Sequence, residues 1–115
     1  MRPQLVFAGL LSDAEARAAL SWQPFRDGIE AAWLYRTPDG GPAAALLRYQ
    51  PGARVPRHRH VGWETIIVIE GAQTDEHGTY GAGAVVGNAP QSDHSVRSDE
   101  GCVALLIWER APEIL

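Results

Sequence analysis

The stretch Gly52-Ala53-Arg54-Val55-Pro56-Arg57-His58-Arg59-His60-Val61-Gly62-Trp63-Glu64 carries the residues best suited to chemistry. His58 and His60 are two apart, so on a strand both imidazoles share one face. Glu64 follows four residues later and keeps that parity. Gly62 lets the backbone bend between them, so parity alone does not establish convergence. Two neutral imidazoles can share one ion at about 2.0–2.2 Å. A carboxylate would cancel one of the ion's two charges, and a third imidazole would fill the shell. His94 lies thirty residues beyond Glu64 and completes the set only if the fold brings its strand alongside. Three nitrogens and one oxygen suit zinc, iron, copper or nickel better than calcium or magnesium. A pair of exposed or core-satisfied histidines would have the same spacing.

The elements that must position these residues are mostly strands. Ile29 to Arg36 alternates, with Ile29, Ala31, Trp33 and Tyr35 on one face and Glu30, Ala32, Leu34 and Arg36 on the other. Pro38-Asp39-Gly40-Gly41-Pro42 is a turn signal, and Ala43 to Tyr49 returns as a second strand. Glu64 to Glu70 and Cys102 to Trp108 are apolar on both faces, as expected inside a sandwich or where two subunits meet. Short strands separated by Gly and Pro turns indicate an antiparallel sandwich or barrel of about eight strands. Ahead of them, Ser12-Asp13-Ala14-Glu15 has capping-box spacing, with Ser12 as cap and Glu15 reaching back. This predicts a short helix over about residues 13–20, stopped by Pro24.

The chain has 115 residues, enough for one domain, and 45% of them are hydrophobic, enough for a core. The formal net charge of −4 argues against non-specific binding to nucleic acid or an anionic membrane. All ten basic residues are Arg, and the loose group Arg54, Arg57 and Arg59 reads as a solvated surface. The one cysteine, Cys102, cannot form an intramolecular disulfide and opens an apolar run, so it reads as a small buried hydrophobe. The start, Met1-Arg2-Pro3-Gln4-Leu5, lacks the features of a signal peptide, and no apolar run approaches the roughly 20 residues that span a bilayer. A cytoplasmic location is the default expectation.

The motif positions resemble the first cupin motif: Gly52, five residues, His58-Arg59-His60, three residues, Glu64, six residues, Gly71. The second cupin motif is similar to the stretch from Gly83 through Pro90 to His94. Pro90 to His94 is one residue tighter than usual, and Ser98 stands where an Asn is common. The segment Thr74-Asp75-Glu76-His77-Gly78-Thr79-Tyr80-Gly81-Ala82-Gly83, with Ser98-Asp99-Glu100-Gly101-Cys102, resembles the ChrR-type cupins over roughly residues 22–110. These are the C-terminal domains of zinc-dependent anti-sigma factors and stand-alone relatives. The resemblance implies a single cupin domain over 1–115, an RmlC-like jelly-roll barrel spanning about 29–110. It implies one divalent metal on His58, His60, Glu64 and His94, with zinc foremost and iron, nickel or manganese as alternatives. The sigma-binding module of that family is a separate N-terminal zinc-binding helical domain. Only about twenty residues precede the resemblance, without His or Cys, so sigma binding is not expected to carry over.

Three functions follow as alternatives. A regulatory or sensory module would have its metal state read by a partner. A metal-dependent enzyme, dioxygenase-like or otherwise, would use an open position on the ion. A structural metal would be closed to solvent. No base or nucleophile stands out beside the ligands. His77 reads as a solvent-facing loop residue and Glu70 as a strand-end carboxylate. Trp33, Tyr35, Tyr49, Trp63 and Tyr80 either pack the core or line a pocket for a small-molecule ligand over the metal. The apolar outward positions Thr65, Ile67 and Ile69 call for a covering layer or a homodimer contact.

Overall fold

The computed structural model describes residues 4–115. One short helix, α1 (Ala14–Ala18), precedes ten strands. These are β1 (Gln23–Arg26), β2 (Ile29–Arg36), β3 (Ala43–Tyr49), β4 (Ala53–Arg59), β5 (Glu64–Asp75), β6 (Gly78–Gly81), β7 (Val85–Asn88), β8 (Asp93–Ser98), β9 (Cys102–Trp108) and β10 (Glu113–Ile114). They pair antiparallel in the order β1-β2-β3-β9-β5-β8-β4-β10, with β6 and β7 also on β5. β2, β3 and β9 occupy the segments their alternation and apolar runs predict. The count exceeds the expected eight because β1 and β10 add short edges outside 29–110.

β5 curls the sheet into a barrel. Its first half pairs with β9 and β7, and its second half with β6 and β8. The strand changes partners near a register shift between Val68 and Glu70, the usual device by which a strand crosses between sheets. Gly71 sits at the crossing with φ +71°, and a Cβ there would lie 2.0 Å from the Gly101 carbonyl oxygen. Only glycine fits. The inward faces of the strands make one core, including Ile29, Leu47, Tyr49, Ile66, Val68, Val96, Leu106 and Trp108.

The N-terminal region departs from expectation in detail. The cap of α1 is Asp13, not Ser12: its backbone is extended and its carboxylate accepts from Glu15 N at 2.9 Å. The helix stops at Ala18, well before Pro24, which lies in β1. Its end is sealed by Leu20 N and the Trp22 indole, both donating to the Arg17 carbonyl. This turns Leu20 and Trp22 onto the outer face of the sheet. There they join Phe7 and Leu10 over Ala32, Leu34, Leu46, Ile69 and Leu105. Arg17 ties the cover down: it is buried, donates to the Leu10 carbonyl at 3.0 Å, and pairs with Glu70 at 2.6 Å. Glu70 is thus committed to an ion pair. Part of the apolar outer face is therefore covered by the chain's own first residues.

Candidate metal centre

His58 is on β4, His60 follows that strand, Glu64 opens β5 and His94 is the second residue of β8. His58 and His94 are direct partners across the β4–β8 ladder. His60 is drawn to the same place by its backbone, which donates to the Ser92 carbonyl at 2.8 Å and accepts from Gln91 N at 2.7 Å. Gln91 takes φ +73° to make that turn. Gly62 allows the link to Glu64: a Cβ there would lie 2.8 Å from the Glu109 Cβ, and the Glu109 carboxylate accepts from Trp63 N. The four residues are buried, and one ligand atom from each lies within 4.8 Å of all the others. The three imidazole rings stand edge to face, with centroids 4.6 to 5.1 Å apart.

Hydrogen bonds fix the tautomers. His58 Nδ1 donates to the Pro56 carbonyl at 2.8 Å. His60 Nδ1 donates to the Ser92 carbonyl and hydroxyl oxygens, each at 3.0 Å. The Ser92 hydroxyl proton is itself used on the Ala89 carbonyl. His94 Nδ1 donates to Asp75 Oδ2 at 3.2 Å. Carbonyl and carboxylate oxygens only accept, so each ring, when neutral, carries its proton on Nδ1 and presents a bare Nε2. The Nε2 atoms of His60 and His94 are buried with no hydrogen-bond partner. His60 Nε2 lies 3.2 Å from Glu64 Oε1, but not in hydrogen-bonding alignment. Orphaned, converging lone pairs of this kind fit a cation.

Glu64 is prepared in the same way. Its Oε2 accepts from the Trp108 indole at 2.6 Å and its Oε1 from Asn88 Nδ2 at 3.1 Å. Burial would raise its pKa, but His60, His58 and the Trp108 hydrogen bond hold it below the usual carboxylate range. With the imidazoles neutral, it is a buried anion held by donors rather than neutralised by a protein cation. Burial, reinforced by His94, holds His58 below the ordinary histidine value. Burial also lowers His60, but the Glu64 carboxylate outweighs it and raises the net value.

The remaining titratable and aromatic candidates fall elsewhere. His77 is exposed in the β5–β6 turn. Cys102 is buried, and burial pushes its thiol pKa up, against a reactive role. Trp63 and Tyr35 are exposed. Tyr80 donates to Asp75. Tyr49 borders a small cavity of about 50 Å³ beside His58, Glu64 and His94. Sequence reasoning did not find the supporting set of Asp75, Asn88, Ser92 and Trp108. Asp75 lay within a quoted motif, but nothing in the spacing joined it to His94.

A curled antiparallel barrel of this kind, with three histidines and a glutamate gathered inside, is a cupin. A solved RmlC-like cupin from Ralstonia eutropha JMP134 matches at TM-score 0.72 and 21% identity, over 85% of this chain and 66% of that one. The family model described as the ChrR cupin-like domain matches residues 13–110, and the chain belongs to that family. The anti-sigma-E factor ChrR of Cereibacter sphaeroides is 34% identical over an 87-residue alignment that covers 73% of this chain. The chain spans only about two fifths (39%) of that relative's length. In the crystal structure of Rhodobacter sphaeroides SigE in complex with the anti-sigma ChrR, the match is TM-score 0.70 at 28% identity, over 79% of this chain and 49% of that one. An acetylacetone dioxygenase from Acinetobacter johnsonii shares the fold at TM-score 0.70 and 16% identity, over 76% of this chain and 67% of that one. No helix among the described residues is long and apolar enough to cross a membrane.

Proposed function

We propose that this chain is a metal-binding cupin module of the ChrR type, with one divalent ion, zinc foremost, on His58, His60, Glu64 and His94. One observation carries the reading. All three Nδ1 atoms are spent on acceptors, so three Nε2 lone pairs and a buried carboxylate are left for a cation. An ion there would supply the positive charge that Glu64 lacks. The protein's own part is to lock ring orientation, exclude water and keep Glu64 ionised. Four protein ligands would close a tetrahedral zinc shell, which favours a structural or sensing role over catalysis. The ion would hold β4, β5 and β8 together, and its loss would loosen surfaces that a partner protein could read. The relative's complex with a sigma factor is the precedent for such a partner. A cytoplasmic location accords with that role.

A homodimer is part of the same proposal. Thr65, Ile67, Val85 and Ile107 share an outward face of β5, β7 and β9 beyond the N-terminal cover, and Val85 and Ile107 are exposed. Sedimentation as a monomer at micromolar concentration would contradict it.

The test of the metal reading is zinc titration into chelator-treated protein, followed by elemental analysis. One equivalent should bind, and Glu64→Gln and His94→Ala should each weaken it. Binding as tight as the parent in both variants would overturn the four-ligand assignment. A catalytic reading draws on the cavity beside the four residues. Its test is oxygen uptake by iron-loaded protein with small diketones and thiols.

A further inference from the structure

A second, larger cavity of about 290 Å³ opens at the barrel mouth, between β1, the β2–β3 turn and the C-terminal segment. It and the small inner cavity share Phe25, Arg26, Trp108, Pro112 and Ile114 as walls, so the two abut. We propose that this mouth binds a small apolar monocarboxylate, its body between aromatic walls and its carboxylate on the Arg26 guanidinium.

The walls favour an apolar body. Phe25 and Trp33 have ring centroids 6.2 Å apart, and Trp33 and Trp108 are 5.8 Å apart. The Trp108 indole N–H is already used on Glu64, so Trp108 offers its ring rather than a donor. The inner cavity is too small for a ligand's body, since liquid water alone takes about 30 Å³ per molecule. The body must therefore sit in the outer cavity, which is near the low end of small-molecule sites.

The charge favours an anion. Among the described residues, the only charged ones lining the outer cavity are Arg26 and Arg36. The Arg36 guanidinium lies over the Trp33 ring at 4.0 Å and is engaged there, whereas Arg26 stands farther from the Phe25 ring, at 5.8 Å. Arg26 has no carboxylate within ion-pair distance among the described residues, and its Nε is buried without a hydrogen-bond partner. A desolvated guanidinium donor left unpaired is costly. A carboxylate meets its planar fork with two parallel hydrogen bonds. One unpaired arginine matches one carboxylate. Arg26 borders both cavities, so the bound head group would stand at the boundary with the space beside His58, Glu64 and His94. The proposal goes beyond the metal reading and does not need it, because neither Arg26 nor the aromatic walls belong to the four ligands.

Isothermal titration of sodium benzoate into the full chain tests it, in zinc-supplemented and in chelator-treated protein, with benzamide as the neutral isostere. Benzoate should saturate one site in both preparations. Benzamide should bind at least tenfold more weakly, and Arg26→Gln should weaken benzoate by at least tenfold. The benzoate–benzamide comparison needs no variant, so it decides the matter even if Arg26→Gln fails to fold. No saturable benzoate binding, or benzamide as tight as benzoate, overturns the proposal. Benzoate binding that requires zinc and survives Arg26→Gln also overturns it, while leaving the metal reading intact. Benzoate binding by a protein that takes up no zinc would uphold this proposal and defeat the other.

Discussion

Asp75 stands behind His94: its Oδ2 accepts the His94 Nδ1 proton at 3.2 Å, while its Oδ1 accepts from His77 N, Gly78 N and the Tyr80 hydroxyl. One carboxylate therefore both builds the β5–β6 turn and aims a ring of the candidate metal site. Such partners usually change metal affinity by about 10–100-fold when removed. Asp75→Asn keeps the shape but has a single acceptor oxygen, which can stay on the β5–β6 turn donors and leave an uncharged amide NH2 facing His94 Nδ1. It should weaken zinc binding by about tenfold while leaving the melting temperature of the metal-free protein nearly unchanged. Competition with a chromophoric chelator and a thermal melt measure the two. Unchanged affinity would show that the contact orients nothing.

Zinc affinity should depend on pH through His60 before His58. A proton on Nε2 competes with the ion. The Glu64 carboxylate outweighs burial and raises His60 above the ordinary 6.5, whereas burial keeps His58 below it. As pH falls, His60 therefore protonates before His58, and affinity should weaken by up to about tenfold per pH unit below its raised value. In Glu64→Gln, burial of His60 is no longer opposed by that charge, so the break should move to lower pH even as affinity at alkaline pH drops. Zinc competition titrations across this range check both. A break at the same pH in parent and variant would contradict the coupling.

Gly71→Ala should destabilise the fold by about 2 kcal/mol or more, since it adds left-handed strain to a backbone clash. The Cβ would meet the Gly101 carbonyl oxygen at 2.0 Å and the Cys102 Cα at 3.0 Å, both backbone atoms. Chemical denaturation measures it. A change under about 0.5 kcal/mol, the size of an ordinary surface substitution, would mean the β5 crossing is not as tight as described.

Much of this arrangement was legible in the sequence because it depends on local spacing. Alternation and apolar runs placed β2, β3 and β9, and the Gly52-to-Gly71 spacing picked out His58, His60, Glu64 and the crossing glycine. The helix cap was misplaced because Ser12 and Asp13 are both good caps, and only the fold chooses the one whose backbone is extended. Pro24 read as a helix stop because an edge strand that tolerates proline leaves the same local signal. The supporting residues were not legible, since Asp75 to His94 and Trp108 to Glu64 are contacts made by the β5–β8 and β5–β9 packing rather than by neighbours in the chain.

Arg17 holds the N-terminal cover on the sheet, so Arg17→Ala should cost about 1–3 kcal/mol by freeing the Leu10 carbonyl and Glu70. It should also uncover Leu46 and Ile69, increasing the binding of a hydrophobic dye, while zinc stoichiometry stays at the parent's value. Loss of zinc in this variant would show that the cover supports the centre.

The central claim is that one ion sits among three imidazoles and one carboxylate. X-ray absorption at the zinc edge of the loaded protein tests it most directly. The expected spectrum has about four nitrogen or oxygen scatterers at about 2.0–2.1 Å, with the outer-shell scattering of three imidazole rings. A sulfur shell near about 2.3 Å, which only Cys102 or Met1 can supply, or scattering from fewer than three rings would contradict the assignment of His58, His60, Glu64 and His94.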